Sequence, residues 1–159
     1  MRNEKTVRLA IPQDLNEIIV LVESVANLHT KNRPDIFRKG RHHDDDEIME
    51  YIEGENAFVS INDADEITGV LLCYLSETND SDIFFDSKTL FIEVSCVGEA
   101  YRRSGYGKML FDRAREHAKE QECTDITLCV YAFNEAAQDF YKSMGMSVSS
   151  FNMQLSLTP

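Results

Sequence analysis

The sequence has only three prolines and no long hydrophobic run. A membrane-spanning helix needs about 20 consecutive apolar residues, and the longest apolar run, at residues 70–75, is far shorter. Residues 1–11 carry too much charge and too few apolar side chains for a secretory signal peptide. These absences predict a cytoplasmic protein that is not associated with a membrane.

Basic residues are scarce, because 16 Lys and Arg stand against 28 Asp and Glu, for a formal net charge of −12. Phosphate backbones bind basic surfaces, so the composition argues against a nucleic-acid partner. An anionic membrane surface would also repel the chain. The same negative field attracts cationic amines, although the charge alone is also explained by solubility.

The four cysteines form no CxxC pair, which removes the usual signal for a zinc ribbon or a thioredoxin-like site. In a cytoplasmic protein they are expected to be reduced. Residues 42–47 read His-His-Asp-Asp-Asp-Glu, which are suitable metal-ligand types, but they are consecutive rather than spaced to converge on one ion. The acidic residues also complement a helix N-terminus. No metal is therefore predicted.

Hydrophobic periodicity predicts a chain that alternates between strands and helices. The predicted strands span residues 6–10, 57–61, 67–75, 90–97 and 125–131, with one or two closing strands within 146–157. The predicted helices span residues 12–30, 45–53, 105–121 and 134–143, and residues 76–88 form a polar loop. A hairpin followed by two βα units predicts a mixed sheet with helices on both faces. Without repeats or linkers, residues 1–159 are predicted to form a single domain.

The most informative segment joins a predicted strand to a long helix. It reads Arg102-Arg103-Ser104-Gly105-Tyr106-Gly107-Lys108. Its glycines let the backbone approach a ligand closely, and the helix start offers unpaired amides and a positive dipole end. A P-loop would need Ser or Thr where Met109 stands, and a dinucleotide fingerprint would need glycine at Leu110. The segment predicts a pyrophosphate site, with a plain glycine-containing helix entry as the alternative.

Two motifs resemble those of the GCN5-related N-acetyltransferase superfamily. Residues 102–107 match the pattern [R/Q]xxGx[G/A] without departure. Residues 134–146 resemble the pattern N-x-x-A-x-x-F-Y-x-x-x-G-F, with only the last aromatic replaced, by Met146. The resemblance is strong over residues 90–146 and weaker towards the N-terminus.

This resemblance implies an α/β fold with a mixed, mostly antiparallel sheet of six or seven strands, splayed between the fourth and fifth and flanked by about four helices. It implies acetyl-CoA as co-substrate and transfer of the acetyl group to a primary amine of a small molecule or peptide, by direct attack on the thioester. Another short acyl-CoA, and a coenzyme A sensor or scaffold without turnover, are the alternatives. An unrelated nucleotide-binding domain is a third. Dimers are common in the resembling family, so a homodimer is one expectation.

The resemblance also assigns cofactor contacts. The main chain of Cys96 and Val97 would pair with pantetheine, residues 102–108 would hold the pyrophosphate, and Asn134 and Tyr141 would flank the thioester. An oxyanion donor is expected from a main-chain N–H near Cys96. Cys96 itself lacks an evident partner base and is not expected to act as a nucleophile.

Two residues carry the predicted chemistry. Glu93, in an apolar strand ahead of the predicted phosphate loop, is the candidate general base and acceptor contact, acting directly or through water. A solvated strand face and a structural ion pair are the alternatives. Tyr141 is the candidate general acid to the coenzyme sulfur, with aromatic packing as the alternative. His29 and Phe37, near the end of the first helix, are candidate acceptor contacts, against a default of core packing or a surface position.

Overall fold

The computed structural model describes residues 4–158. The chain divides into two compact units, Met1–Cys129 and Val130–Pro159. The expected single domain over the whole chain stays a prediction. Within residues 4–158, no helix combines the length and the hydropathy that crossing a membrane would require.

The first unit contains a five-stranded sheet and three α-helices. The strands are β1 (Thr6–Leu9), β2 (Ala57–Ile61), β3 (Ile67–Thr78), β4 (Ser87–Val97) and β5 (Asp125–Leu128). The helices are α1 (Leu15–Asn32), α2 (Asp45–Glu53) and α3 (Tyr106–Glu120), with 3-10 turns at Pro12–Asp14 and Glu99–Tyr101. The strands lie in the order β1-β2-β3-β4-β5. The first three pairs are antiparallel, and β4 and β5 are parallel.

Local sequence fixes the starts of the first two helices. Asp14 ends the 3-10 turn before α1 and accepts hydrogen bonds from Arg8 at 2.6 and 3.0 Å and from the Ile11 amide at 2.9 Å. At α2, Asp44 and Glu47 form a capping box in which each side chain accepts the other residue's amide at 2.9 Å. At α2, the bonds satisfy amides that a helix start leaves without intrahelical partners, whereas at α1 the Asp14 carboxylate holds the turn that precedes the helix.

The core lies on both faces of the sheet, as the sequence predicted. On one face, α1 and α2 pack on the strands through a cluster that includes Ile18, Val22, Ile48, Ile52, Val59, Val70, Leu72 and Val94. On the other face, the Phe58 ring contacts His117 of α3, with ring centroids 5.2 Å apart. Phe58 and Val59 are both fully buried, since successive strand residues point to opposite faces.

The second unit contains α4 (Glu135–Ser143). The prediction of closing strands within residues 146–157 is wrong for this structure, and the described residues form five strands rather than six or seven. Apolar and polar side chains alternate along this segment, but the apolar ones are each more than 80% exposed, namely Phe151, Met153, Leu155 and Leu157. Alternating side chains favour a strand only where another backbone supplies hydrogen bonds. The predicted loop at residues 76–88 is also shorter, because β3 and β4 extend into it.

Candidate active site

Glu93 lies at a β-bulge in β4. Leu72 of β3 is opposite Val94, while the next residue, Cys73, is opposite Ile92, so Glu93 is the extra residue. A bulge re-aims side chains and is frequent beside active sites. The Glu93 side chain is 34% exposed and lines a cavity. The structure therefore brings the predicted base to a concave surface.

The cavity has a volume of about 420 Å³ and lies between α2, β3 and β4. Its lining residues are His43, Glu47, Glu50, Tyr51, Asn56, Cys73, Tyr74 and Glu93. Three of them are carboxylates and none is Lys or Arg, so the lining favours a cationic ligand. Burial, followed by the charge of Glu93, raises the pKa of Tyr51 to about 12. That phenol is therefore neutral at ordinary pH.

His43 is a cavity residue that the sequence did not assign. Its Nε2 lies 3.5 Å from Oε1 of Glu93. Its Nδ1 is buried and has no hydrogen-bond partner in the described part of the chain. The two residues are far apart in sequence, and no motif links them, so only the folded chain shows the pair.

Beyond Ile92 and Leu128, the register between β4 and β5 ends, although β4 continues to Val97. β5 itself ends at Leu128, so the splay that the resemblance implies stays a prediction. The Gly98 amide donates to Thr68 O at 2.8 Å, so the main-chain groups of Gly98 point towards β3. This bond lies one residue beyond the pair Gly69 and Val97 and continues the same register. Antiparallel bonding groups alternate sides along a strand, which points the Cys96 main-chain groups towards β3. Those of Ser95 and Val97 point to the opposite edge of β4, along which the ladder with β5 ends at Ile92.

The Cys96 thiol is held in the first unit's core. Its Sγ lies 3.3 Å from the Leu21 carbonyl oxygen, to which it donates. Burial raises the pKa of this thiol to about 12. A thiol needs ionisation to act as a nucleophile, so the geometry agrees with the expectation that Cys96 does not.

The predicted pyrophosphate loop lies at the start of α3. Gly105 is the N-cap residue, with a φ of 90° that favours glycine, and no side chain caps the helix there. A Cβ at this position would meet nothing within 4 Å. The first turn contains no acidic residue. Open space and uncapped amides at a helix start suit an anionic group.

Lys5 brings a further cation to this loop. Its ammonium donates to Ser104 O and lies 4.7 Å from the centre of the Tyr106 ring. Lys108, in contrast, forms an ion pair with Asp112 one turn further along α3. Lys5 comes from outside the motif, at the start of the chain, which is why the motif did not reveal it. The pyrophosphate contacts of residues 102–108 stay a prediction.

His29 and Phe37 form an aromatic cluster with His42. The His29 and Phe37 ring centroids are 5.1 Å apart, and those of Phe37 and His42 are 5.0 Å apart. Burial, followed by the proximity of His42, lowers the pKa of His29. Neither His29 nor Phe37 lines the cavity that contains Glu93. Their role as acceptor contacts stays a prediction.

Asn134 and Tyr141 belong to the second unit. The Asn134 side chain caps α4 by accepting the Ala137 amide at 3.1 Å, as the sequence predicted. Tyr141 lies on α4 and packs edge-on against Phe140, with ring centroids 5.1 Å apart. Their assignments at the thioester stay predictions.

The chain thus combines a mixed five-stranded sheet with a glycine-capped helix after β4, an α/β arrangement of the acyltransferase type. The family model "Acetyltransferase (GNAT) family" matches residues 22–146, and the chain belongs to that family.

Solved structures of related proteins agree with this assignment. A mutant of the BH1408 protein from Bacillus halodurans is 30% identical, with a TM-score of 0.91 over 96% of this chain and 99% of that chain. Glucosamine-6-phosphate N-acetyltransferase from Arabidopsis thaliana is 18% identical, with a TM-score of 0.68 over 98% and 99% of the two chains. An aminoglycoside acetyltransferase from an uncultured soil metagenomic sample is also 18% identical, with a TM-score of 0.68 over 98% and 96%. The last two show the shared fold. No protein with a curated description matches the sequence significantly.

Proposed function

We propose that the protein is an N-acetyltransferase that moves the acetyl group of acetyl-CoA to a primary amine of a small molecule or peptide. The observation that carries the proposal is the place of Glu93, which lies at a bulge on the wall of an acidic cavity, directly after Ile92, the last residue of β4 that pairs with β5. An acidic cavity attracts an ammonium group. Family membership supports acyl transfer in general.

The acceptor must lose a proton before it attacks, because an alkyl ammonium has a pKa of about 10.4. In this proposal Glu93 accepts that proton directly or through a water. The neutral amine then attacks the thioester carbonyl carbon. Tyr141 protonates the departing sulfur, since a phenol is a donor at neutral pH.

The coenzyme contacts follow from the backbone. We assign pantetheine to the main-chain groups of Ser95 and Val97, because the ladder directs those of Cys96 to β3. The uncapped amides at the start of α3 receive the pyrophosphate, and Arg102, Arg103 and Lys5 supply positive charge nearby. Compared with the sequence prediction, this assignment exchanges Cys96 for Ser95.

The proposal is tested by thiol release from acetyl-CoA with a panel containing 1,4-diaminobutane, tyramine and a lysine-containing tripeptide. Turnover with at least one amine is expected. Glu93→Gln should then lower kcat by about 100-fold at neutral pH, in the usual range for a general base, and by less at high pH. Glu53→Gln is the matched control, because Glu53 lies on the same helix as Glu47 but does not line the cavity.

Two outcomes would favour the alternatives. Tight coenzyme A binding by calorimetry, without turnover of any amine, would favour a sensor. Faster turnover with propionyl-CoA than with acetyl-CoA would favour another short acyl donor. Absence of coenzyme A binding together with affinity for NAD or ATP would refute the proposal.

A further inference from the structure

His43 and Glu93 meet on the wall of the acceptor cavity. Their nearest atoms, Nε2 and Oε1, are 3.5 Å apart, and the two side chains are only 17% and 34% exposed. Electrostatic contacts are stronger where water is partly excluded. This contact therefore constrains the two groups more than an exposed ion pair would.

The position of His43 is fixed from the helix that follows it. Asp44, the next residue, is the N-cap of α2 and is held by its capping box with Glu47. Ile48 and Ile52 anchor the helix in the core, with exposures of 1% and 5%. His43 thus lies in a bend directly before the anchored start of α2.

The ring of His43 is held at a cost. Its Nδ1 is buried without a hydrogen-bond partner among residues 4–158, and leaving a buried polar atom unsatisfied is unfavourable. Such a group calls for a compensating role. The other ring nitrogen supplies one, because it is the atom that faces Glu93.

We propose that His43 is a positioning residue for the general base, an inference that rests on the proposed function. In this proposal Nε2 of His43, 3.5 Å from Oε1 of Glu93, orients the carboxylate by electrostatic contact and leaves Oε2 to take the proton. Within the described residues, Glu93 has no other ion-pair or hydrogen-bond partner. In the step, one N–H bond of the acceptor ammonium breaks, the proton joins Oε2, and the nitrogen keeps the electron pair with which it attacks the acetyl carbon.

The neighbouring titratable groups leave this role to His43. Glu47 is engaged in the capping box, and Glu50 is a carboxylate that would repel Glu93. The hydroxyl of Tyr51 stays protonated, because burial and the charge of Glu93 raise its pKa to about 12. Tyr74 stacks on Phe91 at 5.0 Å, and the Cys73 thiol stays protonated because burial raises its pKa to about 12.

A kinetic double-mutant cycle tests the proposal with the full chain, acetyl-CoA and whichever of the three panel amines reacts fastest. His43→Ala should lower kcat by about tenfold, a modest share of general-base catalysis, while the KM for acetyl-CoA stays within twofold. His43→Gln should recover most of the loss, because a glutamine amide can donate from a similar position. In a Glu93→Gln background, His43→Ala should have no further effect, since residues that act as a unit are not additive. Lys39→Ala, an exposed change in the preceding loop, is the control.

A second readout does not depend on turnover. The ¹⁵N shifts of imidazoles report which ring nitrogen carries the proton, and His43 should be the Nε2–H tautomer in the native protein. Glu93→Ala should shift that signal towards a mixture of tautomers. Unchanged ¹⁵N shifts, or kinetic losses that add in the double mutant, would overturn the inference. If no amine reacts but the ¹⁵N shift moves as expected, the contact stands and the proposed acetyl transfer fails separately.

Discussion

Gly69 of β3 packs closely against β2, β4 and α3, and replacing it with alanine should destabilise the protein. It is in the middle strand, β3, opposite Val97 of β4. An added Cβ would lie 2.8 Å from the Cys96 carbonyl oxygen, 2.9 Å from Ser60 Oγ and 3.1 Å from Leu110 Cδ1. The nearest of these atoms belongs to the backbone, so a side-chain rotation cannot relieve the clash.

The cost can be worked out from these contacts. Overpacking a tight interior costs about 1–3 kcal/mol, and a clash with backbone belongs at the upper end. Alanine recovers about 0.4–1 kcal/mol by restricting the unfolded chain. The net loss for Gly69→Ala is thus about 2 kcal/mol. For a chain of this size, it lowers the Tm by about 4–8 °C.

Thermal unfolding followed by circular dichroism measures the effect. Gly98→Ala is the control, because its Cβ would come no closer than 3.3 Å, and to the edge of the Tyr101 ring, which can move. That variant should stay within about 0.5 kcal/mol of the native protein. The Cys96 carbonyl lies between Ser95 and Val97, the proposed pantetheine contacts. Because Gly69→Ala pushes on that carbonyl, the variant should also bind coenzyme A more weakly. A Gly69→Ala protein as stable as Gly98→Ala would refute the packing argument.

Three further predictions concern other parts of the molecule. Asp14→Asn should lower the free energy of unfolding by about 1–3 kcal/mol at pH 7. Burial alone would raise the pKa of Asp14, but hydrogen bonds from Arg8 and the Ile11 amide outweigh burial and lower that pKa. The stability difference between the variant and the native protein should therefore be complete above about pH 4 and vanish as acid protonates the carboxylate. A difference in urea unfolding that does not depend on pH would contradict this. Lys5→Ala should raise the KM for acetyl-CoA several-fold at low salt and less at high salt, because an exposed charge is screened; equal effects at both salts would argue against a charge contact. Tyr141→Phe should reduce kcat without changing coenzyme A affinity in calorimetry, and an unchanged rate would remove its assignment as the acid.

Elements with strong local signals were predicted well. The bounds of α2 agree fully, because its capping box and buried isoleucines are all local. The start of α3 at Gly105 and the cap of α4 at Asn134 agree for the same reason. Strand ends were less predictable, since a strand extends as far as its neighbour supplies hydrogen bonds. β3 accordingly continues to Thr78, where β4 is still opposite it.

The positions of the candidate residues could be predicted where a motif carries them and not where distant segments meet. The predicted phosphate loop lies at a helix start because glycine and the following helical sequence are adjacent in the chain. Lys5 and His43 reach the predicted phosphate loop and the Glu93 cavity from other segments, and neither has a pattern of its own. Contacts of this kind depend on the order and packing of elements, which short-range periodicity does not encode.

The bulge at Glu93 shows how one inserted residue changes a site. In an unbroken strand, neighbouring side chains point to opposite faces of the sheet. If Val94 were buried against α1 and α2, the Glu93 side chain would then face α3. The register places Val94 opposite Leu72, in the cluster beneath α1 and α2. The stacked pair of Tyr74 and Phe91 continues the alternation on the other side of the bulge. Only the shift between them lets Glu93 share the face of Val94, and therefore reach the cavity beside α2. The apolar pattern of β4 thus fixes the core, and the interruption of that pattern brings the proposed base, Glu93, to the cavity.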